Sequence, residues 1–180
     1  MTRLERTSKE THVQVELERG AGPSELQTRL VFFNHMLATL VRYAGLSLVL
    51  RADGDLKHHL MEDVAITLGQ AVRRLVSDTA ARFGERSVAM DDALVQAVVD
   101  AGGRPYYRGK LPNALYQHWM RSFAENAGLT LHLRVVRGQN RHHVLEAAFK
   151  AVGMALRQAL AEDAFVSSLK GQVSWKEGGC

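Results

Sequence analysis

The chain carries no cysteine before its last residue, Cys180. An internal disulfide is therefore excluded, and a reducing compartment is permitted. Long apolar runs are missing as well: no stretch approaches the ~20 apolar residues that a membrane span needs. The opening residues, Met1-Thr2-Arg3-Leu4-Glu5-Arg6, are polar and hold no apolar signal core. Nor is there a run of one charge. The 23 basic and 19 acidic residues are interspersed, for a net charge of +4. That balance argues against nucleic acid and suits an anionic small molecule. The rest is ordinary for a globular protein: 46% apolar and 23% charged residues in 180. These absences predict a cytoplasmic protein with neither a membrane nor a nucleic-acid partner.

What is present is a histidine pattern. His-His-x-x-Glu occurs as His58-His59-Leu60-Met61-Glu62 and again, 84 residues later, as His142-His143-Val144-Leu145-Glu146. Each copy opens a run of helical character. On a helix, the glutamate lies three and four residues after the two histidines, so all three side chains share one broad face. The two imidazoles diverge by about 100° and can serve two different ions.

The repeat extends well beyond these motifs. Ala44-Gly45-Leu46-Ser47-Leu48-Val49-Leu50-Arg51 matches Ala127-Gly128-Leu129-Thr130-Leu131-His132-Leu133-Arg134, and His35 matches His118, both at an offset of 83. After each His-His-x-x-Glu a glycine, an alanine and an arginine recur: Gly69, Ala71 and Arg73, then Gly153, Ala155 and Arg157. A fainter match pairs Glu10 with Asp92. The pattern is that of a duplication, with halves at 1–86 and 87–180 forming one compact unit. Alternating apolar residues predict strands near 11–18, 25–31 and 45–52 in the first half, and near 92–100, 104–109 and 128–136 in the second. Helices are predicted near 34–43 and 59–79, then near 113–126 and 142–161. The fold class is α+β: a duplicated strand-strand-helix-strand-helix half-domain, with helices on one face of each sheet.

Six of the eight histidines belong to the repeat: His35, His58, His59, His118, His142 and His143. With Glu62 and Glu146 they make a donor set of imidazole and carboxylate without thiolate. Such a set suits two six-coordinate ions of the Mn²⁺, Fe²⁺ or Ni²⁺ kind better than closed tetrahedral zinc. His132 stands where the first half has Val49, and it reads as structural, as does His12.

With these residues in hand, the chain resembles the imidazoleglycerol-phosphate dehydratases of histidine biosynthesis. The likeness runs through Arg6-Thr7-Ser8-Lys9-Glu10-Thr11, Phe32-Phe33-Asn34-His35-Met36-Leu37, both His-His-x-x-Glu motifs and Arg82-Phe83-Gly84. It continues through Met90-Asp91-Asp92-Ala93-Leu94, Gly103-Arg104-Pro105, Phe149-Lys150-Ala151 and Ser168-x-Lys170-Gly171. The resemblance implies a fold of the ribosomal protein S5 domain 2 type, two Mn²⁺ per active site and a homo-oligomer of 24 chains with sites at subunit boundaries. It implies His35, His58, His59, Glu62, His118, His142, His143 and Glu146 as metal ligands. It also implies Glu10, Arg82, Arg104, Ser168 and Lys170 as contacts to a phosphorylated imidazole substrate.

The chemistry suits those residue types. Metal ions on the ring nitrogens would favour an imidazolate, whose electrons can expel the neighbouring hydroxyl. A carboxylate can then move the side-chain proton, with Glu10 as first candidate and Glu146 as second. Arginine and lysine suit the phosphate. Five positions depart from the family pattern: Asn34, Lys57, Asp92, Gly102 and Leu169. Two other functions compatible with the donor set are a di-metal lyase or hydrolase acting on another phosphorylated azole, and a non-catalytic metal-binding subunit.

Overall fold

A computed structural model describes residues 1–20 and 22–163. Ser168, Leu169 and Lys170 lie outside the described residues. Each half contributes three strands, a helix, a strand and a helix. The first half holds β1 (Thr2–Thr7), β2 (Thr11–Arg19), β3 (Glu25–Gln27), α1 (Val31–Ala44), β4 (Leu46–Gly54) and α2 (Lys57–Arg73). The second holds β5 (Phe83–Met90), β6 (Ala93–Asp100), β7 (Tyr106–Gly109), α3 (Ala114–Asn126), β8 (Thr130–Arg137) and α4 (Arg141–Ala159). The two sheets have matching orders, β1-β2-β4-β3 and β5-β6-β8-β7. In each, the third strand joins the fourth in parallel and all other pairs are antiparallel.

Two strands were not legible in the sequence. β1 and β5 are edge strands whose faces are mostly exposed, so the apolar alternation that marks a half-buried strand is faint. Each half therefore begins one strand earlier than the predicted strand-strand-helix-strand-helix order. The predicted division at 86/87 falls inside β5, and the halves are joined instead by residues 74–82. Helix α2 also ends at Arg73 rather than near 79.

The sheets bury alternate residues inward. Val13, Val15 and Leu17 of β2 and Val95, Ala97 and Val99 of β6 are almost fully shielded. Helices cover those inner faces, and each helix also finds a partner in the other half: α1 packs on α4, and α2 on α3. The layers are thus sheet, helices, sheet. Phe33, Trp119, Phe123 and Phe149 stack and cross at the centre of the helical layer.

The repeated glycine and arginine find their reason at these crossings. A Cβ on Gly153 would lie 2.5 Å from the Leu40 carbonyl oxygen, and one on Gly69 would lie 2.8 Å from that of Phe123. Backbone meets backbone at both places. Ala71 and Ala155 are fully buried. Arg157 lies over Gly45, just past the end of α1, and Arg73 lies over Gly128, just past the end of α3. The glycine and the arginine thus lock each late helix onto the early helix of the opposite half, while the alanine, turned about 200° from the glycine, faces the other side of its helix.

Gly153→Ala tests this crossing. Alanine favours a helix by about 1 kcal/mol, whereas forcing a methyl into a close-packed site costs about 1–3 kcal/mol. The clash is with a backbone oxygen that cannot rotate away, so a net loss of stability is expected in chemical denaturation. A stability equal to or above that of the parent chain would show that α4 and α1 can part without cost.

Candidate active site

The first turns of the four helices lie together. His35 of α1 faces His142 and Glu146 of α4, with Nε2 to Oε2 distances of 3.6 Å and 3.2 Å to the glutamate. His118 of α3 faces His58 and Glu62 of α2. Glu62 Oε1 lies 3.1 Å from His118 Nε2, and Oε2 lies 3.8 Å from His58 Nε2. In each trio one donor atom per residue lies within 4.8 Å of the others. Each trio combines the two halves, and it does so because α1 runs alongside α4 and α3 alongside α2. His35 lies near His142 while Leu40 to Ala44 lie near Gly153, so the paired helices are parallel.

These trios fit a divalent cation. The donors are imidazole nitrogens and a carboxylate; the histidines are partly or well exposed, whereas Glu146 is buried. His118 Nε2 is shut off from solvent and has no hydrogen-bond partner, although the Glu62 carboxylate stands beside it. A buried nitrogen without a partner is costly, and a metal ion would satisfy it.

The remaining two predicted ligands stand apart from the trios, as the 100° divergence of neighbouring residues requires. His59 Nδ1 lies 3.0 Å from Asp55 Oδ1 and 3.6 Å from Glu10 Oε2. The Asp55 hydrogen bond, with Glu10 behind it, raises the His59 pKa above its ordinary value. His143 also pairs with carboxylates, at 2.6 Å to Asp92 and 3.3 Å to Asp91. Asp92 also accepts the backbone N–H groups of Gln139 and Asn140, which, with His143, hold its carboxyl far below the usual range. Asp55 and Asp91 carried no signal of their own in the sequence. The only hint for Asp55 is its place four residues before His59.

Arg82 and Arg104 meet elsewhere, at Asp100. Arg82 donates to both carboxylate oxygens, at 2.6 Å and 3.0 Å, and Arg104 approaches at 3.4 Å. Gly102 donates its backbone N–H to the same carboxylate at 2.8 Å. Arg82 lies so close over Gly102 that a Cβ there would stand 2.6 Å from its Nε. The glycine that departs from the family pattern therefore gives this arginine its floor. Asn34, another departure, donates from Nδ2 to the Leu26 carbonyl at 3.2 Å, a bond that an aspartate could not make. Lys57, a third departure, is the exposed first residue of α2. His12 pairs with Glu5 across β1 and β2, and His132 sits against Tyr106, so both have ordinary structural partners.

The two groups of residues lie at opposite ends of β6. Asp92, beside His143, precedes β6, and Asp100 ends it. A strand of that length spans about 24 Å. One small molecule cannot bridge that gap within a single chain.

Arg82 depresses the Asp100 pKa by its two hydrogen bonds, against the opposing effect of burial. A depressed folded pKa stabilises the fold above the unfolded value of about 3.9 and loses that contribution as pH falls. Asp100→Asn is therefore expected to lower the urea midpoint at neutral pH, with the gap to the parent closing below about pH 4. A gap independent of pH would show that the ion pair contributes nothing to stability.

The comparisons with known proteins agree with one another. The family model described as imidazoleglycerol-phosphate dehydratase matches residues 28–156. An imidazoleglycerol-phosphate dehydratase of Parafrankia sp. is 41% identical over 93% of this chain and 94% of its own length. One of Salinibacter ruber is 44% identical over 95% and 94%. Among solved structures, the enzyme of Pyrococcus furiosus superposes with a TM-score of 0.84 at 37% identity, covering 94% of this chain and all of that one. That of Staphylococcus aureus gives 0.81 at 34%, covering 89% and 98%. The chain belongs to the imidazoleglycerol-phosphate dehydratase family, the hydro-lyases of histidine biosynthesis.

Proposed function

We propose that the chain dehydrates D-erythro-imidazoleglycerol phosphate to imidazole-acetol phosphate at a site holding two Mn²⁺ ions, and that a complete site needs more than one copy of the chain. The observation that carries this reading is the pair of trios, His35–His142–Glu146 and His58–Glu62–His118, each drawn from both halves and each with at least one exposed histidine. His59 and His143, paired with carboxylates outside their own trios, would serve as ligands for a neighbouring copy. When bound, the ions would supply Lewis acidity at the nitrogens of the substrate ring, stabilising negative charge there.

The chain's own residues would do the rest. Glu10 stands in the turn between β1 and β2, exposed, with Oε2 near His59. It is free to accept the proton from the substrate carbon and release it to the product. Glu146 is less suited to that shuttle. Its Oε1 is held by Lys150 at 2.8 Å and its Oε2 faces two histidines. Arg82 and Arg104, fixed by Asp100, would receive the phosphate as bidentate donors, joined by Ser168 and Lys170. Because these arginines lie at the far end of β6 from the histidines, those of one subunit would serve the metal centre of another. The 24-chain assembly that the resemblance implies has sites of this shared kind.

Two measurements test the reading. Mn²⁺-loaded protein given imidazoleglycerol phosphate is expected to release imidazole-acetol phosphate, and Glu10→Gln is expected to lose about 10²–10⁴-fold in kcat with metal still bound. No turnover by metal-replete protein would sink the assignment. Co-assembly of inactive Arg82→Ala chains with inactive Glu10→Gln chains is expected to restore part of the activity. No recovery in verified mixed assemblies would place each site within one chain.

A further inference from the structure

The duplication supplies two trios of the same composition, but their glutamates have different neighbours. Glu146 is buried, with 11% of its side chain exposed, and its Oε1 lies 2.8 Å from the ammonium of Lys150. Lys150 is itself only 16% exposed. Its Nζ is further held by Met90 Sδ at 3.3 Å and faces the Tyr43 ring at 5.7 Å. The ammonium is thus fixed one helical turn below the carboxylate, beneath the His35–His142 pair. In the other half, the residue one turn after Glu62 is Ile66, at the matching place in the repeat. Among the described residues only His58 and His118 lie within ion-pair distance of Glu62, and 37% of its side chain is exposed.

We infer that Lys150 makes the two cation sites unequal, so that the trio of His35, His142 and Glu146 binds its divalent ion more weakly than the trio of His58, Glu62 and His118. The inference rests on the reading of both trios as cation sites. A fixed positive charge on the far oxygen draws electron density from the near one and repels an incoming cation. Both effects are stronger away from water. Partners of metal-bound carboxylates change affinity by about 10–100-fold. Ile66 offers neither effect. The weaker site would exchange its ion while the tighter one keeps it, which gives the pseudo-symmetric centre a direction.

Binding of Mn²⁺ to the assembled, metal-stripped protein tests this without substrate, using calorimetry and the electron paramagnetic resonance signal of free Mn²⁺. The parent protein is expected to show two classes of site, differing by about tenfold or more in affinity. Glu146→Gln should abolish the weaker class. Lys150→Met keeps the length of the side chain without its charge, and should tighten the weaker class toward the other. Lys150→Arg keeps the charge and should keep the separation. A single class of equal sites in the parent protein would overturn the inference, and so would a separation unchanged in well-folded Lys150→Met. If Lys150→Met fails to fold, loss of the tighter class in Glu146→Gln would overturn it equally. Absence of Mn²⁺ binding altogether would remove both the inference and the two-metal reading, whereas two equal sites would remove the inference alone.

Discussion

The contact on which this structure depends is the meeting of helix backbones at Gly153 and Gly69. Because neither glycine has a side chain, α4 reaches the carbonyl of Leu40 and α2 reaches that of Phe123. Helices normally pack 8–10 Å apart, with side chains setting the distance, and small residues allow the nearest approach. These two crossings join the halves and fix the relative height of each helix pair. One to two turns further toward the N-termini, that height brings His35 to Glu146 and His118 to Glu62. A shift of one residue along either pair would move a histidine by about 1.5 Å and turn it by about 100°. The glycines, remote from the chemistry, therefore set its geometry.

Duplication gives this scaffold two of everything, and the functional interest lies where the copies differ. The aspartates that hold His59 and His143 come from different places in their halves. Asp55 lies just before α2, whereas Asp91 and Asp92 lie in the β5–β6 turn. Phe32 packs against His142 at 5.1 Å, while its counterpart beside the other trio is Leu115. Lys150 has Ile66 as its counterpart. A substrate with a ring at one end and a phosphate at the other is not symmetric, and a site for it cannot remain so.

Much of this was legible in the sequence. Periodicity exposed the strands that bury one face, and the repeated Gly-x-Ala-x-Arg marked the helix crossings before their purpose was visible. Strands β1 and β5 escaped notice because both their faces are largely exposed, so few apolar residues alternate along them. Asp100 escaped because an acidic residue at a strand end has no pattern to distinguish it. Its importance comes from Arg82, which approaches from the connection between the halves, and from Gly102, whose bare backbone makes room for it. Lys150 stood in plain view within a quoted motif. Its partner Glu146 is the one acidic residue of α4 and lies one turn away, so spacing suggests the pair, but only the tertiary structure shows that both charges are shielded from water.

The sequence by itself determined the composition of the site: which residues can bind a cation, how many there are, and that they come in two sets. Residue chemistry and repeat spacing are local properties, and a chain read in one dimension preserves them. The tertiary structure decided how the donors are divided. It split each His-His pair, sending one imidazole to a trio shared between the halves and the other to a carboxylate outside it. It also put the arginines at the opposite end of the sheet from the histidines. Spacing says that the two imidazoles of a pair must diverge, but not which partners each one meets, because that depends on which helix of one half meets which helix of the other, and at what height. That is fixed by backbone contact between residues far apart in sequence, Leu40 with Gly153 and Gly69 with Phe123.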